Sequence, residues 1–382
     1  MARTILPLCL LALLLLLLAA PGRAVAPAGE QRLLVLRLTW GPETADLSDA
    51  TIAASVERAS AHVRAASYGR TWLRHDTTPW LHVWSEEPQT CDYGQLYAFT
   101  TEVAQRSGYD LGRYSHTVFV FPRIEACRWG GSYFGRVIWI NWVFPWTTLA
   151  HELGHTYGLP EEGPAIAGGA AENYANPYTV MGHGQEDYSA WEKWVFGWLE
   201  QVSRTGRSGT YAIDALERPS TGAQALVVTT ARAEYWFEYR PAHGVLAYAG
   251  ANGLDSGFGG RFAGRDVLLG PVAGSFRVAG LLEVRVAARD GNRATVAFRW
   301  LDRTRPSRPR VRVRGSTVEW DRAVDRGSGV DHYEVRAGGR LRVVPATQLA
   351  GRTLVDAQTT ARRPGAGPVR VVAVDRAGNR SR

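Results

Sequence analysis

The chain has 382 residues, enough for two or three domains with a sizeable core, and carries 44 basic against 36 acidic residues for a net charge of +8. All but one of the basic residues are arginine, the exception being Lys193, and they are spread along the chain, whereas a nucleic-acid surface gathers them with aromatics on one element. The densest run, Arg303 to Arg314, alternates arginine with proline and valine and reads as a linker entering a strand, so no nucleic-acid partner is expected.

Met1-Ala2-Arg3 is followed by an apolar stretch from Leu6 to Ala20 and then by small residues, the pattern of an export signal over 1–26 with cleavage after Ala24 or Ala26. That stretch is short for a membrane span and no second one follows. The expected product is a secreted chain, extracellular or periplasmic, with no stable membrane span after signal cleavage. Cys9 lies inside the signal, leaving Cys91 and Cys127. Two thiols in an oxidising compartment most simply form one disulfide, with a pair of free thiols as the alternative.

Leu33 to Leu38 is an apolar run of strand length. Ser48 to Ala66 places Ile52, Val56, Ala59 and Val63 at helical spacing. Trp80 to Trp84 reads as a strand, Gly94 to Arg106 as a helix, His116 to Phe121 as a buried strand and Val137 to Ile140 as a further strand. This alternation predicts a mixed α/β domain over 27–200, a twisted sheet backed by helices.

His151-Glu152-Leu153-Gly154-His155 then sets two of the nine histidines four residues apart. On a helix, capped by Thr147 or Thr148, that spacing turns both imidazoles to one side, where two nitrogens reach a single tetrahedral zinc ion and Glu152 can take a proton from water. Gly158 permits the positive φ of a helix that stops and turns back, and Pro160 bars its continuation. Glu161 stands where the extended motif His-Glu-x-x-His-x-x-Gly-x-x places a third ligand, with Glu162 as the alternative; a carboxylate oxygen is an acceptable donor to zinc. Next comes Tyr178-Thr179-Val180-Met181-Gly182-His183, whose Met181 is one of two methionines in the chain.

Beyond Leu199 the period changes from helix to strand. Glu234 to Arg240 and Leu282 to Val286 alternate with period two, and Asp290-Gly291 supplies a hairpin turn before Ala294 to Phe298, so 201–303 reads as an all-β module. Gly250 to Gly264 lacks the strand and helix of a nucleotide fingerprint and reads as a long loop. Residues 304–309 form a proline-rich linker, and 310–382 a second all-β module of short strands that ends in Asp375-Arg376-Ala377-Gly378-Asn379.

The histidine helix together with Met181 resembles the metzincin clan of zinc peptidases. Tyr188-Ser189-Ala190-Trp191-Glu192-Lys193-Trp194-Val195-Phe196-Gly197-Trp198-Leu199 is similar to the helix that follows the methionine turn in gametolysin-like and immune-inhibitor-A-like metallopeptidases. Ala66 to Trp72 and Cys127-Arg128-Trp129-Gly130-Gly131 resemble the same group, so the likeness covers roughly residues 32 to 200. Gly158-Leu159-Pro160-Glu161-Glu162 looks more like the Gly-Leu-Pro-acid run of the immune-inhibitor-A group than like gametolysin, which has histidine as third ligand. The tail is similar to fibronectin type III or immunoglobulin-like modules, which act as spacers or as binding units for cell surfaces and polysaccharide.

The resemblance implies a metzincin-like α/β (α+β) catalytic domain followed by two all-β modules. It implies one catalytic Zn²⁺ ion on His151, His155 and Glu161, with Glu152 as general base and Met181 packed beneath the histidines. His183 falls where some metzincins place a tyrosine that touches the metal or the oxyanion, the other reading being a solvated loop histidine. The strand 137–140 has two readings, the cleft's upper rim pairing with an extended substrate or an ordinary interior strand. The expected activity is endopeptidase cleavage of a protein or peptide substrate. The alternatives are an inactive homologue, or an adhesion or carbohydrate-binding protein that works through its β modules.

Overall fold

The computed structural model describes residues 27–40, 47–84, 89–159, 165–167, 170–251, 266–350, 353–357 and 359–382. The expected signal over 1–26, both Glu161 and Glu162, and most of the stretch 250–264 lie outside the described residues.

The first layer is built from β1 (Gly29–Trp40), α1 (Asp49–Ala66), β2 (Thr71–Trp84), α2 (Tyr93–Arg106), β3 (His116–Phe121), β4 (Gly131–Phe134), β5 (Val137–Asn141) and α3 (Trp146–Thr156). The strands form one sheet in the order β2-β1-β3-β5-β4, parallel throughout except that β4 runs antiparallel to β5. Strands β3 and β5 are buried along their whole length, as strands covered on both faces must be. One face packs Leu33, Val35, Val118, Val120, Ile138 and Ile140 against Ile52, Val56 and Val63 of α1 and Leu149 and Leu153 of α3. The other packs Leu34, Leu36, Phe119, Phe121 and Trp139 against Leu96 and Ala104 of α2. The predicted helix 48–66 therefore appears with Ser48 as its cap, whose Oγ accepts from Thr51 N at 3.1 Å.

Of the two readings of strand 137–140, the interior one holds: β5 is paired on both sides, and the edge beside it belongs to β4, which is too short to show a period in the sequence. One expectation changes. Neither Thr147 nor Thr148 caps α3; Pro145, whose ring fixes φ at −73°, takes the cap position two residues before Thr147 and leaves both threonines in the first turn.

Among the described residues after α3 the regular elements are strands, apart from α4 (Ala190–Phe196), which closes on Gly197 with φ 81°. Strands β6 (Ala165–Ala167), β7 (Ala170–Glu172), β8 (Val202–Thr205), β9 (Gly209–Asp214), β10 (Ala225–Thr229), β11 (Ala233–Arg240), β12 (Gly244–Ala251), β13 (Asp266–Pro271), β14 (Ser275–Val278), β15 (Leu282–Arg289) and β16 (Arg293–Trp300) form two sheets. The larger runs β7-β6-β13-β12-β11-β10-β8 and the smaller β14-β15-β16-β9. They face each other over Leu226, Val228, Phe237, Val245, Val284, Val296 and Phe298. The outer face of the larger sheet, with Val227, Trp236, Leu246 and Tyr248, packs on Ala190, Trp191 and Trp194 of α4. Strands on both sides of residue 200 thus share one sheet.

The tail contributes β17 (Val311–Arg314), β18 (Thr317–Trp320), β19 (Val330–Ala337), β20 (Arg340–Pro345), β21 (Thr347–Ala350), β22 (Thr353–Asp356), β23 (Thr360–Arg362) and β24 (Arg370–Asp375). Two three-stranded sheets, β17-β18-β23 and β20-β19-β24, enclose Val318, Trp320, Tyr333, Val335, Val371 and Ala373, and β21 pairs with β22.

The two cysteines form a disulfide with a Cα–Cα distance of 5.1 Å across a sequence separation of 36. The bridge ties the start of α2 to the turn after β3. Asn141, buried at the end of β5, holds the same turn by accepting from Ile124 N (2.8 Å) and donating to Cys127 O (2.9 Å) and Trp129 O (3.1 Å). Replacing Cys91 and Cys127 together by serine is expected to lower the free energy of unfolding by about 3 to 4 kcal/mol, through loop entropy returned to the unfolded chain. Urea unfolding with and without reductant checks this, since reductant should reproduce the loss in the unaltered chain.

Candidate metal centre

Helix α3 brings His151 and His155 to one side, with their Nε2 atoms 3.2 Å apart. His151 Nδ1 lies 2.9 Å from Val180 O and His155 Nδ1 lies 3.0 Å from Leu159 O. A carbonyl oxygen can only accept, so both rings carry their proton on Nδ1 and each turns an Nε2 lone pair toward the same point. Two lone pairs at that separation repel unless a cation lies between them. Tetrahedral zinc with Zn–N distances of about 2.0–2.1 Å places two nitrogens roughly 3.3–3.4 Å apart. The pair fits a metal ion.

The chain supplies those carbonyls by two turns. Gly158, at φ 114°, lets the backbone fold back after α3 so that Leu159 O reaches His155. Met181 sits beside Val180 and is fully buried against α3, where a Cβ at Gly154 would overlap the methionine sulfur. Tyr188 Oη donates to Ala150 O at 2.7 Å, fixing the helix on the same side.

Glu152, 5% exposed, faces β4. A Cβ at Gly131 would lie 2.5 Å from Glu152 Oε1 and 2.5 Å from Thr148 Cγ2, so only glycine leaves room for the carboxylate. Trp129, Gly131, His151, Glu152, Tyr174 and His183 share a cleft of about 420 Å³. His183 is exposed on its wall with Nδ1 2.7 Å from Tyr174 O.

Sequence reasoning missed three residues here. Tyr133 of β4 stacks on His155 (ring centroids 4.6 Å, 12° between planes) and Tyr174 lies over His151 (5.7 Å, 29°). Tyr174 has φ 59°, a left-handed conformation that costs a side chain about 1–2 kcal/mol. The Gly130-Gly131 pair was visible as a dipeptide, but its contact with Glu152 is not a sequence property. No signal marked the tyrosines.

Behind α3, His116 Nε2 lies 3.0 Å from Thr156 Oγ1, whose own proton goes to Leu153 O (2.8 Å). The ring is therefore protonated on Nε2, and its buried Nδ1 has no partner. Burial, with a smaller contribution from the charge of Arg136, lowers the pKa of His116 from 6.5 to about 4.

Residues 65–233, less than half of the chain, match the family described as "Gametolysin peptidase M11". The match supports a metallopeptidase family with a protein substrate. No curated protein matches. A chain from a solved structure described as "Structure of a chaperone-substrate complex" aligns at 13% identity and a TM-score of 0.29, over 42% of this chain and 28% of that one, and carries nothing about fold or activity here. No helix among the described residues is long and apolar enough to cross a membrane. The disulfide is consistent with an oxidising compartment.

Because the folded pKa of His116 is depressed, the unfolded chain binds its proton first as pH falls. Its stabilising contribution is complete above pH 6.5 and is lost as pH drops toward about 4. Urea unfolding of the metal-free chain at several pH values should show that His116→Phe removes this part of the acid sensitivity. An unchanged slope over that window would count against the assignment.

Proposed function

We propose that the chain is a secreted zinc endopeptidase of metzincin type, with a catalytic unit that begins at residue 27 and a fibronectin type III-like or immunoglobulin-like tail as spacer or binding unit. The observation that carries the reading is the pair of Nε2 lone pairs converging 3.2 Å apart beside a buried glutamate in an open cleft. His151 and His155 would hold one Zn²⁺ ion, with Glu161 as third ligand or Glu162 in its stead. When bound, the ion supplies Lewis acidity, acidifying water and polarising the scissile carbonyl.

The other steps fall to side chains and backbone. The free edge of β4 offers its N–H and C=O groups to an extended peptide, aligning the scissile bond across the cleft. Glu152 takes the proton from the attacking water and passes it to the departing amine. Gly131, by leaving no side chain at this point, keeps the carboxylate aimed into the cleft. His183 lines the same cleft with Nδ1 held by Tyr174 O, so its donation to the developing oxyanion would come from Nε2 of the doubly protonated ring.

Glu152→Gln is expected to keep one zinc per chain by elemental analysis and to lose casein hydrolysis by roughly 10²- to 10⁴-fold. His151→Ala or His155→Ala should lose the metal itself, and chelation should silence the unaltered chain. A Glu152→Gln protein that cleaves casein at the native rate would sink the general-base role. Gly131→Ala should also retain zinc while its kcat falls about 10²-fold, because the added methyl displaces the glutamate by the order of 1 Å.

A further inference from the structure

Arg240 ends β11, in the larger β-sheet beyond α4, and its side chain is fully buried. All three nitrogens of the guanidinium have acceptors. Nε donates to Glu238 Oε1 (2.7 Å), Nη1 to Tyr178 O (2.8 Å), and Nη2 to Asp187 O (3.1 Å) and Tyr188 O (3.2 Å). Burial, the largest single influence, opposes the charge, but Glu238, Tyr248 and Asp187 together outweigh it and raise the arginine pKa. Glu238 also accepts from Ala190 N, the first residue of α4, at 2.6 Å.

Those acceptors are not scattered. Tyr178 and Tyr188 bracket the segment that contains Val180 and Met181. Within it, Val180 O receives the Nδ1 proton of His151 and Tyr188 Oη grips Ala150 O. A planar fork with fixed N–H directions can bridge three carbonyls at once, which an ammonium on a flexible stem cannot do with the same rigidity.

We infer that Arg240 is a positioning residue for the metal centre: it clamps both ends of segment 178–188, fixes the Val180 carbonyl, and so sets the tautomer and aim of the His151 ring. The inference rests on the proposed zinc site. It makes the β-module after residue 200 a working part of the metal-binding unit.

The test uses the full chain and two variants. Arg240→Lys keeps the charge, and Glu238→Gln with Arg240→Met removes the pair without stranding a buried carboxylate. Three readouts are taken: zinc affinity by competition with a chromophoric chelator, the ring ¹⁵N tautomer signature of His151 in the metal-free protein, and amide exchange along the chain. The double variant should bind zinc about 10- to 100-fold more weakly, lose Nδ1–H population at His151, and exchange faster only around residues 176–190; Arg240→Lys should fall between it and the unaltered chain. Native zinc affinity and native tautomer in the double variant would overturn the inference. Protection lost throughout β10 to β12 would overturn it too, since Arg240 would then serve the sheet as a whole. If the unaltered chain bound no zinc, the metal reading would fail instead, and the tautomer measurement would still decide on the clamp.

Discussion

Two backbone carbonyls, Val180 O and Leu159 O, hold the proposed site together. Each takes the Nδ1 proton of one histidine and thereby fixes both the tautomer and the direction of the opposite lone pair. Without them nothing would select Nδ1 as the protonated nitrogen, and neighbouring positions on a helical turn would not present two lone pairs to a shared focus. The surrounding architecture is a means of delivering those two oxygens. Gly158 returns the chain after α3, and the segment around Met181 is pressed against Gly154 from below.

The sheet contributes the opposite wall. Buried on both faces, β3 and β5 give α3 a rigid floor, and Asn141 pins the turn that leads into the edge strand. Close approach of β4 to Glu152 then depends on a missing side chain at Gly131. On the far side, Glu238 and Arg240 reach across from the β-sandwich to the start of α4 and to the methionine segment. This junction is thus polar and charged in its interior, an arrangement that specifies one register for packing because a displaced fork would leave buried charges unpaired.

Much of this was legible in the amino-acid order. Strands whose apolar runs are continuous, such as His116 to Phe121, and α1 with its period of 3.6 announced themselves, as did the paired histidines with their glutamate. Elements of three or four residues did not: β4, β6 and β7 are too short for any periodicity, so the sequence offers no edge strand beside Val137 to Ile140 and leaves that strand with two readings, rim or interior. The helix start was read from threonine chemistry when proline geometry decided it. Long-range polar contacts were the least visible. Nothing in the order Glu238-Tyr239-Arg240 distinguishes a surface strand from one whose charges face inward, because the partners, Tyr178 and Tyr188, lie 62 and 52 residues earlier.

Lys193 illustrates how far burial can reshape the surface. The single lysine of the chain is fully enclosed, 2.5 Å from Asp187 and 3.2 Å from Leu216 O, with its ammonium over the Tyr68 ring. The folded exterior consequently presents guanidinium groups and no side-chain amine. Acylating agents and reducing sugars, which need a nucleophilic nitrogen, meet no lysine on that exterior.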